Sequence, residues 1–184
     1  MIARYCITAA MITVREYRED DLPALKQLIG ELHDALRPYD EYLAPLERVA
    51  DEYAGYLIDT CRETSGAFLV AAQGDRLVGF VCVFGLVAPA EPDQYRDRFS
   101  AVANIYVLPS MQGQRIGATL MQRAESFARD LGVGRMELTV LSGNNRAIEF
   151  YRRLGYRERS RTFTKKLPAV PGGAPGSASP RARR

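Results

Sequence analysis

Two segments of the chain carry residue types and spacings that can do chemistry. The first is the turn Gln112-Gly113-Gln114-Arg115-Ile116-Gly117, which follows the apolar run Asn104-Ile105-Tyr106-Val107-Leu108-Pro109 and precedes a helical pattern. A strand, a glycine-bearing turn and a helix start bring backbone N–H groups together where the helix dipole is positive, and such a nest holds a phosphate or pyrophosphate. Gly113 and Gly117 are expected to permit unusual backbone angles and a close approach. Neither familiar nucleotide pattern fits, since no Lys-Ser or Lys-Thr follows the turn and there is no G-x-G-x-x-G. The second segment runs from Asn144 to Tyr156, where Asn144 is a ready helix cap. Tyr151 lies seven residues further on, about two turns, so both side chains share one helix face. A phenol placed there can lend a proton to a leaving thiolate.

The pattern around these segments defines what must position them. Ile12 to Tyr17 reads as a short first strand. Asp20 and Asp21 then offer a cap, Pro23 suits a first turn, and Leu22, Leu25, Leu28, Ile29, Leu32, Ala35 and Leu36 recur at helical spacing up to Pro38. A second helix carries the stripe Leu46, Val49, Ala50, Tyr53, Leu57, Ile58 and Cys61. Ala67 to Ala72 and Leu77 to Leu86 form a hairpin about Gln73-Gly74-Asp75-Arg76. Val102 to Leu108 is the fourth strand, Gly117 to Leu131 a helix closed by Gly132, Met136 to Leu141 a strand and Asn144 to Leu154 a helix. One or two terminal strands are expected over Tyr156 to Leu167.

In this order the segments resemble the GNAT superfamily of acyl-CoA N-acyltransferases, over roughly residues 12 to 167. The turn at Gln112 looks like that family's pyrophosphate loop, and Asn144 with Phe150-Tyr151 and Gly155-Tyr156 looks like its following helix. The resemblance implies an α/β (α+β) fold: a mixed, mostly antiparallel sheet of six or seven strands, flanked by about four helices and splayed between the fourth and fifth strands. It implies acetyl-CoA in that wedge and no metal. Backbone groups of Ile105, Tyr106 and Val107 would bond the pantetheine arm, while Gln112, Gly113, Gln114, Arg115, Ile116, Gly117 and Ala118 would hold the pyrophosphate. Asn144 would contact the cofactor and Tyr151 would be the general acid. The family loop usually has glycine where this chain has Arg115, a change that keeps the N–H donors and adds a guanidinium able to reach a phosphate.

The reaction so implied is direct attack of an amine on the thioester, with no covalent intermediate. Tyr151, with a reference pKa of about 10, is protonated at neutral pH and can donate. The base is less defined. Some relatives place a carboxylate two residues before the tyrosine of the fourth strand, where this chain has Asn104. Glu137, Asp40 and Glu41 remain as candidates, beside a water relay or an amine captured neutral, and each carboxylate equally suits an ordinary surface position. His33, the single histidine, reads as a helix-edge residue. Arg37-Pro38-Tyr39-Asp40-Glu41-Tyr42 gathers aromatics and acids that suit a cationic amine or a solvated junction. The rival reading is a GNAT-like module that senses acyl-CoA without turnover, and the cofactor motif leaves acyl-chain length open.

Composition bounds the rest. The chain of 184 residues suits one domain, and 47% hydrophobic with 26% charged residues is a globular balance. The net charge of +3 matches Arg181, Arg183 and Arg184 in an acid-free tail, so the body is not basic and nucleic acid is not an expected partner. Residues 168–184 read as a disordered Pro/Gly/Arg tail and 1–11 as an extension, with Met11 a possible start. Cys6, Cys61 and Cys82 are too few and too scattered for a disulfide framework or a metal site, and Cys82 in its apolar run reads as a buried hydrophobe. With neither a secretory signal nor the roughly 18 apolar residues of a membrane span, a cytoplasmic protein is expected. An edge strand near the C-terminus makes a homodimer plausible.

Overall fold

A computed structural model describes residues 11–168; the N-terminal extension and the proposed disordered tail lie outside these residues, apart from Met11 and Pro168. Five strands and four helices follow one another as β1 (Ile12–Glu16), α1 (Leu22–Leu36), α2 (Leu46–Glu63), β2 (Ala67–Gln73), β3 (Arg76–Val87), β4 (Phe99–Val107), α3 (Ile116–Asp130), β5 (Met136–Leu138) and α4 (Asn145–Arg153). The sheet order is β1-β2-β3-β4-β5. Its first three pairings are antiparallel and β4–β5 is parallel, giving the mixed, mostly antiparallel sheet expected from the sequence.

β2 and β3 are apolar along both faces because both faces are covered. Val70, Val78, Phe80, Val81 and Val83 are fully buried, and the helices supply Leu25, Leu57, Leu120 and Met121 to the same core. Each such side chain stabilises the fold by about 1.5–3 kcal/mol through removal from water. The hairpin between β2 and β3 closes at Gly74, whose φ of +60° meets the positive angle its tight turn requires. At the N-terminal end, Arg15 grips Asp21 through two contacts of 2.6 and 2.8 Å. That bond holds the Asp21 carboxyl below its usual range and ties β1 to the entry of α1.

The functionally decisive feature is where pairing stops. β5 meets β4 only through Ser100–Met136, Ala101–Glu137 and Val102–Leu138. From Asn104 to Val107, β4 still pairs with β3 but has no ladder partner on its β5 side. The splay expected between the fourth and fifth strands is this opening.

Two expectations need correction. No strand forms over residues 156–167, so the sheet has five strands among the described residues. That stretch lacks an apolar face: it is dominated by Arg and Lys, and Phe163 and Leu167 are 88% and 75% exposed. Two of its arginines bond to a neighbour or to β5, Arg161 to Glu158 and Arg159 to Glu137. β5 also ends at Leu138 rather than Leu141, because the chain must leave the sheet to open the wedge.

Candidate active site

The loop after β4 is pinned at its start: the Gln112 side chain donates from Nε2 to the Val107 carbonyl at 2.9 Å. That bond occupies one of the β4 backbone groups expected to face pantetheine. Gly113 takes φ +82° and Arg115 φ +61°, two left-handed residues that turn the chain into α3. The helix begins with Thr119 N–H donating to the Arg115 carbonyl at 3.0 Å. No side chain caps it, so the N–H groups of Ile116, Gly117 and Ala118 point out of the helix start without an intrahelical acceptor. Arg115 is exposed, and its guanidinium forms no ion pair among the described residues. The donors suit an anion.

One part of the expectation for Gly117, the unusual backbone angle, is not met. The residue does not adopt a positive φ. A Cβ there would sit 3.4 Å from the Phe150 ring, with Val107 at 3.9 Å, ordinary contact that leaves room for a methyl group but not for a longer side chain. The left-handed angles fall on Gly113 and on Arg115, where the resemblance led one to expect a glycine.

Across the opening, Asn144 caps α4 as its position in the sequence suggests: its Oδ1 accepts the Ala147 N–H at 3.1 Å, which leaves its amide N–H groups for a ligand. Tyr151 lies partly buried, ringed by Phe150 at 5.3 Å and Tyr156 at 6.0 Å between centroids. Burial pushes its hydroxyl pKa up to about 12. Among the tyrosines nearby, Tyr53, Tyr106 and Tyr156 each spend their hydroxyl on a protein partner, whereas that of Tyr151 has none among the described residues. Tyr156, given no role in the sequence reading, donates to Glu125 of α3 at 3.1 Å and contacts Met136 Sδ of β5 at 3.2 Å. It fixes the end of α4 behind Tyr151.

The base candidates fall in different places. Glu137 sits at the closed end of the wedge opposite Ala101, its carboxylate held by Arg159 at 2.6 Å and Arg135 at 3.3 Å. Asp40 accepts the Tyr42 backbone N–H at 2.9 Å and Glu41 is exposed. Their loop does reach the site: Tyr39 lies against Gly143, 3.1 Å from where a Cβ would stand, just before Asn144. Asn104 accepts from the Tyr53 hydroxyl at 3.0 Å. His33 is buried with its ring edge-on to Tyr53, a packed residue rather than an exposed helix edge. Cys82 is fully buried 3.4 Å from Cys61 Sγ, and burial raises its thiol pKa strongly, which keeps it protonated and inert. No cluster among the described residues could hold a metal ion.

A β4 that loses its neighbour, an uncapped helix start at its end and a tyrosine with an unused hydroxyl can be compared with known proteins. The model of the acetyltransferase (GNAT) family matches residues 29–156. The chain belongs to the GNAT acetyltransferase family. As a GNAT acetyltransferase it is an acyltransferase of a family that uses acetyl-CoA. It is 31% identical over 148 residues to an uncharacterised N-acetyltransferase of Methanocaldococcus jannaschii, covering 80% of this chain and 61% of that protein. It is 27% identical over 150 residues to the thialysine N-epsilon-acetyltransferase of Bos taurus, covering 81% and 86%. Among solved structures, the aminoglycoside acetyltransferase AAC(6')-Iy bound to a CoA bisubstrate analogue superposes with a TM-score of 0.66 at 13% identity, covering 86% of this chain and 99% of that one. A GCN5-related N-acetyltransferase from Ralstonia eutropha gives 0.66 at 20% identity, covering 85% and 99%. These two likenesses speak for the fold alone. Among the described residues, no helix of this GNAT protein is long and apolar enough to cross a membrane.

Proposed function

We propose that this GNAT protein moves the acetyl group of acetyl-CoA directly to a primary amine of a small molecule or peptide, within a ternary complex. The observation that carries the reading is the pairing of an uncapped α3 start with the unengaged hydroxyl of Tyr151 across the β4–β5 opening. In this reading the N–H groups of the turn from Gln112 to Ala118 hold the pyrophosphate, Ile105 and Tyr106 lend backbone groups to pantetheine, and Asn144 bonds the cofactor through its amide. The relationship to a protein named for acetylating thialysine supports a small-molecule amine.

The neutral amine attacks the carbonyl carbon, the new C–N bond forms, and the C–S bond breaks with its electron pair on sulfur. Alignment of the two reactants in one groove supplies several kcal/mol of the acceleration. Tyr151 then donates its O–H to the sulfur as negative charge builds there. With its pKa raised to about 12 it stays protonated across the working range, so the donor is always charged with its proton. The surplus ammonium proton leaves through solvent, since Glu137 is already committed to two arginines.

Calorimetric titration with acetyl-CoA, followed by thiol release against a panel of amines, tests the reading. Micromolar binding with turnover is the expected result. Binding with no turnover on any amine would favour an acyl-CoA sensor, and absence of binding would overturn both.

A further inference from the structure

The acceptor side of the wedge contains a carboxylate that neither the motifs nor the reaction above employ. Glu31 projects from α1 toward β4, where the Tyr106 hydroxyl donates to its Oε2 at 3.3 Å. Gln27, one turn earlier on α1, donates to its other oxygen, Oε1, at 3.2 Å. Both oxygens are oriented by neutral donors, and among the described residues no cation pairs with the carboxylate. On the same two helices, Lys26 is paired with Asp51 at 2.7 Å and Arg62 with Asp59 at 3.6 Å. A half-buried carboxylate fixed on both oxygens and unpaired by charge is a site for an ammonium group.

Its place fits a substrate rather than a structural ion. The backbone of Tyr106 belongs to the stretch of β4 that lost its β5 neighbour, so Glu31 stands one tyrosine side chain from the wall of the wedge. The surrounding charge agrees. Between Leu22 and Glu63 there are nine acidic residues against four basic ones, whereas between Asn104 and Tyr156 there are four acidic against seven basic. The half that would meet the anionic cofactor is positive, and the half left for the acceptor is negative. Aromatic walls for a methylene chain and a cation come from Tyr106 and from the stacked pair Tyr53 and Tyr56, 6.3 Å between centroids.

We infer that Glu31, held by Gln27 and Tyr106, binds a second, cationic amine of the acceptor, so that the preferred substrate is a diamine or a basic amino acid. This rests on the acetyl-transfer reading, with one amine reacting in the wedge and the other, still protonated, anchored at Glu31.

Putrescine and n-butylamine differ by the one amine in question and serve as probes. Calorimetry on the full chain saturated with CoA measures binding without turnover, and thiol release with acetyl-CoA measures kcat and KM. The expected result is that putrescine binds at least about tenfold more tightly than n-butylamine. In Glu31→Gln that ratio should collapse to within about twofold, the loss lying in KM rather than kcat. Tyr106→Phe should fall between. Asp59→Asn, which removes a charge of the same sign from the exposed face of α2, should keep the ratio and so separates the clamp from the general field. Equal binding of the two amines by the unaltered protein, or a ratio that survives Glu31→Gln, would overturn the inference. Selective putrescine binding that depends on Glu31, with no acetyl transfer to any amine, would leave this subsite standing and remove the enzymatic reading instead.

Discussion

Two helices begin at the rim of the same wedge and treat their first-turn N–H groups in opposite ways. α4 closes its own start, with Asn144 Oδ1 accepting from Ala147 at 3.1 Å. α3 is left open, entered through Arg115 at φ +61° with no side-chain cap. A cap of the first kind stabilises a helix by about 1 kcal/mol; an open start forgoes that and keeps donors for a ligand. In the proposed reading the difference divides the tasks, with the α3 start binding the cofactor and α4 holding Tyr151 in place. Cofactor affinity should therefore follow changes at the α3 start, and the chemical step should follow changes on α4.

The largest effect is expected where the two helices touch. Gly117→Leu would drive a side chain into the Phe150 ring, which stands 3.4 Å from even a Cβ. Acetyl-CoA affinity should fall by two orders of magnitude or more in calorimetry, while circular dichroism keeps a folded spectrum. Normal affinity would mean that the wedge does not hold the cofactor.

Tyr151→Phe comes next and tests the other half of the comparison. Affinity for acetyl-CoA should stay within a few fold while kcat drops by roughly 10²-fold, the usual contribution of one positioned proton donor. The pH profile adds a sign. Burial raises the hydroxyl pKa from its ordinary 10 to about 12, so the deprotonated, inactive form appears only at higher pH. An alkaline loss of kcat with a midpoint near 10 should be missing from the unaltered enzyme; finding one that Tyr151→Phe abolishes would show the phenol to be far less shielded than its packing indicates.

These two variants also mark what was readable from the chain. Gly117 and Tyr151 belong to local patterns, each within a few residues of its partners, and the loop and helix they define occur where the spacing puts them. The neighbour of Gly117 was not readable, because Phe150 meets it only after the chain has folded over β5. Glu31 and Tyr106 are 75 positions apart, and Tyr53 meets Asn104 across 51; on a helix stripe and a strand, such residues look like ordinary core or surface. The expected terminal strands failed for a local reason. Strand propensity over residues 156–167 had no apolar face to bury, so nothing offset the entropy of ordering it.

Asn144→Ala should separate stability from binding on the α4 side. Losing the bond to Ala147 should lower unfolding stability by about 1 kcal/mol, visible as a fall of a few degrees in Tm. If Asn144 also bonds the cofactor through its amide, saturating acetyl-CoA will raise Tm less in the variant than in the parent. An equal rise in both would confine Asn144 to its cap.

Arg115→Gly should give the smallest and most informative change, because its two consequences have opposite signs. A non-glycine residue at φ +61° carries strain on the order of 1 kcal/mol, and glycine removes it while giving back part through its larger unfolded-state entropy. The net should be a gain of about 0.5 kcal/mol in chemical denaturation. The backbone donors of α3 remain, so binding persists, but the guanidinium that has no ion pair among the described residues is gone. Affinity for acetyl-CoA should fall a few fold, and the salt dependence of binding should weaken with it. A more stable protein with weaker, less salt-sensitive binding would mean that the strained arginine stands at the open helix start for the sake of the phosphates. Unchanged affinity would assign the whole anion site to backbone N–H groups, making the contrast between the two helix starts one of capping alone.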